Sequence, residues 1–233
     1  MSPLRNPLTL VFFLSSVLIT VTLTQIGNTQ SVKKEKEVSA IELANAVRKN
    51  GLKEAARLKG EYIVSERASG WAKYDLENLT NDSSTIIVGT PVLSTPKLSN
   101  SGEMILTEHQ IRIDQTFKGN VQPNLVISLT VLGGKVKFED GSTAEIQTPD
   151  QGPIELGKTY ILFMSEKEKS IPSTFSLTGG GQGLFELRQD STIEPRGEKV
   201  DTVQIYKQKS VIAFTEEIKA IVKKHPGTSQ CCK

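Results

Sequence analysis

Residues 105–114, which read ILTEHQIRID, place apolar and polar side chains in alternation. Because successive side chains of a β-strand point to opposite faces, this pattern predicts a strand with one buried face. The buried face carries Ile105, Thr107, His109, Ile111 and Ile113, and the other face carries Glu108, Gln110, Arg112 and Asp114.

The same alternation recurs before and after this strand. Further strands are predicted at residues 86–93, 125–131, 136–138, 144–147, 160–164, 175–177 and 185–187. Pro91 marks an edge or a strand end, and Asp140-Gly141 is a turn pair that closes a hairpin. Several short strands separated by turn signals predict a mainly β fold, a small antiparallel barrel or a sandwich.

Helical patterns flank these strands. Ser39 and Glu42 form a capping box, and Asn50-Gly51 ends the helix before a second helical stretch at residues 52–58. After Ser210, apolar residues recur at helical spacing up to a stop at Pro226-Gly227. We expect this amphipathic C-terminal helix to pack its apolar stripe against the β-domain.

An apolar segment without charges, residues 8–26, follows Arg5. A basic residue, an apolar core and a polar stretch are typical of a secretory signal, with residues 27–29 as the nearest cleavage candidate. At about 19 residues the segment is also near the length of a membrane-spanning helix. The lysines within residues 33–36 oppose export, since basic flanks favour the cytoplasmic side. We predict an extracytoplasmic body, secreted or anchored, with membrane contact only through residues 8–26 if they stay uncleaved.

The chain of 233 residues has room for one domain with flanking elements. We predict four parts: a signal peptide or membrane anchor (1–29), a charged spacer and helical segment (30–82), a β-barrel domain (83–195), and a C-terminal helix with a Cys-Cys tail (196–233).

Charge and cysteine content narrow the partners and the compartment. With 28 basic and 26 acidic residues mixed along the chain, there is no basic cluster of the kind that binds nucleic acid. The two cysteines, Cys231 and Cys232, stand at the end of the sequence, so the body has neither internal disulfides nor a thiolate zinc site. The pair is interpreted as an interchain disulfide, a strained vicinal disulfide or a tail without a role.

Motifs for catalysis and for metal binding are missing from the sequence. We find no serine-nucleophile motif, no H-E-x-x-H and no calcium loop. His109 is the one site candidate, and a buried histidine with satisfied hydrogen bonds is the alternative interpretation. The sequence therefore predicts a protein that is not an enzyme and that carries no cofactor and no metal.

Two further motifs have simpler structural interpretations. The glycine-rich run 179–183 lacks the lysine and the following helix of a phosphate loop, so a bulge or a sharp corner is predicted. The triplets at Asn78 and Asn81 fit the glycosylation pattern, and we interpret them as markers of loops.

Four short blocks occur in a recognisable order: residues 86–90 (IIVGT), 117–119 (FKG), 157–163 (GKTYILF) and 179–185 (GGGQGLF). This order resembles exported bacterial modules with a netrin-like or metalloproteinase-inhibitor-like OB barrel, over residues 83–193. The resemblance implies a small OB-like barrel. Such inhibitors place an N-terminal cysteine on the zinc of their target, and this sequence has none there. The resemblance therefore implies the fold without implying the inhibitor function.

Three functional hypotheses follow. The first is a non-enzymatic extracytoplasmic module that binds a protein or a cell-envelope component. The second, on fold analogy alone, is an inhibitor of a secreted hydrolase. The third is an enzyme whose site is assembled from scattered acidic residues, serines and His109, for which the sequence contains no recognised constellation.

Overall fold

The computed structural model describes residues 38–66, 72–166, 174–197 and 201–225. These residues form a mainly β fold, with 41% strand, 27% helix and two sheets. No helix in these ranges is long and apolar enough to cross a membrane. The apolar segment 8–26, the cleavage candidate 27–29, Pro226-Gly227 and the Cys231-Cys232 pair lie outside the described residues, and their interpretations stay predictions.

The elements follow in the order α1 (Ala40–Lys59), β1 (Glu61–Ser65), α2 (Leu76–Asp82), β2 (Thr85–Leu98), β3 (Ile105–Lys118), β4 (Val126–Leu132), β5 (Gly134–Lys137), β6 (Thr143–Gln147), β7 (Thr159–Glu166), β8 (Thr174–Leu177), β9 (Leu184–Leu187), β10 (Ile193–Pro195), α3 (Asp201–Gln204) and α4 (Val211–Lys224). The predicted strands are confirmed as β2 to β9. The sequence predicts neither β1, nor β10, nor α2.

Five strands of the larger sheet close into a ring. The sheet has the order β10-β9-β7-β2-β3-β4-β8, and β7 also pairs with β8, which joins β7-β2-β3-β4-β8 end to end. The pairs within the ring are antiparallel, apart from the parallel pair β4–β8. Apolar side chains fill its interior, among them Ile111, Leu129, Tyr160, Leu162 and Phe175.

The smaller sheet has the order β1-β6-β5 and packs against α1. Leu52 and Ala56 of α1 share a core with Ile105, Ala144 and Ile146. The predicted break at Asn50-Gly51 is confirmed, because α1 kinks at Gly51, where φ is 77°. A Cβ at Gly51 would lie 2.7 Å from the carbonyl oxygen of Gly102, so glycine is required there for close approach as well as for backbone conformation.

Both glycosylation triplets begin in α2, so their interpretation as loop markers was wrong. Asp75 caps this helix by accepting a hydrogen bond from the Asn78 amide at 2.7 Å. Leu79 and Thr80 are buried, and the Thr80 hydroxyl donates to the Leu76 carbonyl oxygen at 2.6 Å. The helix escapes pattern analysis because seven residues hold too few turns to display a period.

The predicted C-terminal helix is confirmed as α4, which packs on the outer face of the larger sheet. Ser210 caps it by accepting a hydrogen bond from the Ala213 amide at 3.1 Å. Phe214 is fully buried, with its ring centroid 4.9 Å from that of Phe185 and 5.1 Å from that of Tyr206. This aromatic group joins the C-terminal residues to the sheet.

We expect Phe214→Ala to lower the free energy of unfolding by about 3–5 kcal/mol, since it removes a fully buried ring that packs against Phe185 and Tyr206. Ile212→Ala is the matched control on the same helix, because Ile212 is 76% exposed, and it should change stability by about 0.5 kcal/mol at most. Urea unfolding followed by circular dichroism measures both. Equal losses in the two variants would contradict the described packing of α4.

Candidate functional site

The inward face of β3 passes from one hydrophobic core to another. Ile105 belongs to the core under the smaller sheet, whereas Ile111 and Ile113 belong to the interior of the ring. Between them stand Thr107 and His109, two polar residues that are 8% and 4% exposed. We call these two residues the polar seam.

Both residues of the polar seam form hydrogen bonds. The Thr107 hydroxyl donates to the Gly133 carbonyl oxygen at 2.6 Å. Nδ1 of His109 lies 2.7 Å from Oγ of Ser94, the residue directly opposite on β2. The other ring nitrogen, Nε2, has no hydrogen-bond partner among the described residues. His109 is therefore buried with Nδ1 bonded to Ser94, and its Nε2 is not among the fully buried side-chain atoms that lack a hydrogen-bond partner.

A cavity of about 680 Å³ lies beside His109. Its walls come from β3, the β4–β5 junction, β6, the segment 148–154 and the end of β10. The lining residues are His109, Val131, Gly134, Glu145, Ile146, Gln147, Thr148, Pro149, Gln151, Gly152, Pro153, Ile154, Glu194, Pro195 and Arg196. We refer to this cavity as the His109 pocket, and its volume is within the range of small-molecule sites.

The wall made by the segment 148–154 is held by contacts between backbones. A Cβ at Gly152 would lie 2.6 Å from the Arg196 carbonyl oxygen. A Cβ at Gly181 would lie 2.3 Å from the Asp150 carbonyl oxygen, and Gly197 packs against Gly181 in turn. The predicted corner at residues 179–183 is confirmed as a buried 3₁₀ turn, Gly180–Gly183, and the missing side chain of Gly181 lets the pocket wall approach.

Gln182 ties a further segment to this turn. Its side-chain oxygen accepts a hydrogen bond from the Tyr74 amide at 2.9 Å, and its side-chain nitrogen donates to the Ala72 carbonyl oxygen at 3.0 Å. Gln182 is 4% exposed, so these bonds replace the hydrogen bonds to water that its side-chain amide loses on burial. The glycine-rich turn thus organises two chain segments behind the pocket.

Ion pairs surround one end of the pocket. Arg196 Nη1 lies 3.0 Å from Glu186 Oε2, and Arg196 Nη2 lies 3.4 Å from Glu155 Oε1. Lys158 joins the same two carboxylates at 3.2 Å and 2.9 Å. Hydrogen bonds to Glu155 and Glu186 raise the pKa of Lys158, which keeps this ammonium group charged.

Glu194 lies beside this network with two basic neighbours. Its Oε1 is 3.2 Å from Lys207 Nζ, and its Oε2 is 3.0 Å from Arg188 Nη2. Oε2 is buried, and its contact with Arg188 lacks hydrogen-bond geometry, so the attraction there is that of an ion pair alone. The carboxylate is thereby fixed as part of the pocket wall.

The Ser94–His109 pair does not amount to a catalytic dyad. In the usual arrangement a carboxylate orients the imidazole through the nitrogen that does not face the serine, and no described carboxylate hydrogen-bonds His109. Within the described ranges, no three His, Cys, Asp or Glu side chains converge to hold a metal ion.

His109 is the one predicted site residue that the structure places at the pocket. His225 ends α4 and lies 3.2 Å from Glu77 on α2, in a surface ion pair. Sequence reasoning missed Glu194, Arg196 and the segment 148–154. The proline pair Pro149 and Pro153 was a weak signal of a shaped loop, but nothing in the pattern links that loop to β3.

Comparison with known proteins gives no family for the chain. No protein-family model matches it, and no curated protein matches it.

Burial lowers the pKa of His109 from its ordinary value of 6.5 to about 4. The unfolded chain takes up this proton near pH 6.5 and the folded chain only near pH 4, so acidification through that window favours unfolding. Above pH 6.5 the neutral ring costs the folded state no stability. As the pH falls from 6.5 to 4, we expect the free energy of unfolding to decrease by about 3 kcal/mol. The measurement is the free energy of unfolding against pH for wild type and His109→Gln.

The substitution should flatten the stability curve between pH 6.5 and 4, since glutamine does not titrate. An identical slope in wild type and variant, or a ring that titrates near 6.5 in an NMR experiment, would contradict the buried neutral imidazole.

Gly181→Ala should cost about 3 kcal/mol or more, because the added methyl meets backbone on three sides and none of these atoms belongs to a flexible side chain. Gly141→Ala is the control. Gly141 has φ 85° with no atom near its absent Cβ, so the same change there costs only backbone strain, about 1 kcal/mol. Thermal and urea unfolding compare the two, and a Gly181→Ala protein as stable as the control would refute the close packing of this wall.

Proposed function

We propose that this chain is a non-catalytic module that works outside the cytoplasm and binds a protein or a cell-envelope component through the His109 pocket. The observation that carries the proposal is a nearly buried imidazole with one ring nitrogen left without a partner among the described residues, in the wall of a cavity of about 680 Å³. His109 lines this cavity, and no hydrogen bond between described residues uses its Nε2, so a ligand in the cavity can bond to this nitrogen.

Nothing in the described residues indicates catalysis. The titratable side chains near the pocket engage one another in ion pairs, and the Ser94–His109 pair lacks an orienting carboxylate. A binding role accounts for these contacts without a reaction.

We also propose that the five-strand ring is an OB-like barrel. Two features support an OB-like barrel. One is the strand order of the ring, and the other is that β4–β8 is a parallel pair in a ring that is otherwise antiparallel. The order of the four sequence blocks agrees with this assignment. The outer face of β3 presents Glu108 and Arg112 in ion pairs with Lys97 and Asp114, which does not favour the nucleic-acid binding common among such barrels.

The extracytoplasmic location is supported by sequence alone. The apolar segment 8–26 has the order of an export signal, and residues 30–228 contain no cysteine. The inhibitor alternative gains no specific contact in its favour, and we do not carry it further.

Site-specific photo-crosslinking in native cells tests the binding role. A photoreactive residue at Gln151, which lines the pocket, should yield a discrete adduct with one partner. The same residue at Lys219, on the solvent side of α4, is the matched control and should not. Adducts of equal intensity from both positions, or none from Gln151, would count against a partner at this pocket.

Fractionation of the same cells with N-terminal sequencing of the mature chain tests the location. We expect the protein outside the cytoplasm, either beginning after residue 29 or intact and in the membrane fraction. Recovery of the intact chain in the cytosol would overturn the extracytoplasmic part of the proposal.

A further inference from the structure

Three charged side chains line the His109 pocket, and each already has partners of opposite charge. Arg196 pairs with Glu186 and Glu155, and Glu194 pairs with Lys207 and Arg188. Glu145 has its Oε2 3.7 Å from Lys135 Nζ, and its Oε1 accepts a hydrogen bond from the Gln147 side chain at 2.8 Å. Lys135 is shared with Glu61, whose Oε1 lies 2.6 Å from its Nζ. Each charge of the wall therefore has a counter-charge before any ligand enters.

A charged ligand would meet an unfavourable environment here. It would have to break one of these pairs or leave bulk water without a counter-charge, and both cost free energy. The remaining lining is uncharged: it joins the polar side chains of Gln147, Thr148 and Gln151 to the apolar ones of Val131, Ile146, Ile154, Pro149, Pro153 and Pro195. An uncharged group loses less on entering such a cavity.

The imidazole of His109 can hydrogen-bond either a donor or an acceptor on a neutral ligand, depending on its tautomer. When the Ser94 hydroxyl donates to Nδ1 of His109, Nε2 carries the proton and donates. When Nδ1 donates to Ser94, Nε2 accepts instead. Because burial keeps the pKa of His109 near 4, the ring is neutral at ordinary pH and this choice stays available.

We infer that the His109 pocket binds an uncharged organic group that carries an amide or a hydroxyl, hydrogen-bonded to Nε2 of His109 and packed against the proline-rich wall. The inference rests on the proposed function and deepens it by stating the ligand chemistry. The group belongs to a small molecule or to a side chain of the partner, and the two share this chemistry.

Three probes of nearly the same shape test the charge of the ligand: neutral benzamide, anionic benzoate and cationic benzamidine. Each is titrated into the full-length protein, or its mature form, while the amide resonances of the pocket are followed by NMR. We expect benzamide to bind about tenfold more tightly than either charged probe. Equal or tighter binding of a charged probe would overturn the inference, and so would the absence of pocket shifts with all three.

Two substitutions test the contact with His109 and the effect of the charges in the pocket wall on probe affinity. His109→Ala should weaken benzamide binding by about fivefold or more. If His109→Ala fails to fold, the variant Lys135→Met tests the inference instead. It changes an exposed residue and removes the cation nearest to Glu145. Benzamidine should then gain about two- to fivefold in affinity while benzamide is unchanged.

Lys97→Met is the matched control, since Lys97 pairs with Glu108, which does not line the pocket. It should leave the affinities for all three probes as they are in wild type. A gain for benzamidine in the control, or none in Lys135→Met, would contradict the balanced-charge argument.

The proposed function and the neutral ligand can be rejected separately. A partner adduct at Gln151 together with preference for a charged probe would retain the proposed function and reject the neutral ligand. Selective, His109-dependent benzamide binding without any adduct would retain the pocket chemistry and reject a partner in the cell.

Discussion

The structure depends on one strand that serves two hydrophobic cores. Strand β3 has 14 residues, more than the ring alone needs, and its inward face starts under the smaller sheet and ends inside the ring. Side chains of a strand alternate strictly, and every second residue from 105 to 113 is buried. Where the two cores meet, the inward positions fall between them, and this is where Thr107 and His109 stand. The pocket is a consequence of joining two cores with one strand.

The second constraint is backbone-to-backbone contact at the glycine-rich turn. Gly181 and Gly197 bring three chain segments closer than any side chain allows, and they hold the wall that contains residues 148–154. Pre-organised walls favour binding because fewer conformations are lost when a ligand enters. The same packing explains why a run that looks like a phosphate loop has no anion-binding geometry: its residues are buried against other backbone and are followed by a strand.

Much of the fold could be predicted from periodicity, since alternation over four or more residues has few interpretations. Strand β3, the hairpin at Asp140-Gly141, the apolar strand predicted at residues 160–164, which lies within β7, and the capped helix α4 are all confirmed. Strand β1 was missed because its apolar residues, 62–64, are consecutive and show no alternation, and helix α2 because seven residues give only about two turns and include polar triplets. Strand β10 has three residues, and its pairing to β9 exists only in three dimensions.

The sequence by itself determined the mainly β class, the balance of charge, the single buried histidine on an alternating face, and the absence of catalytic motifs. It did so because these properties depend on residue type and local spacing. Only the tertiary structure decided that His109 would meet Ser94, that Arg196 and the segment 148–154 would face it, and that the charges around them would be paired. Those contacts join residues far apart in the chain, and which ones meet is set by strand order and ring closure, which local pattern does not encode.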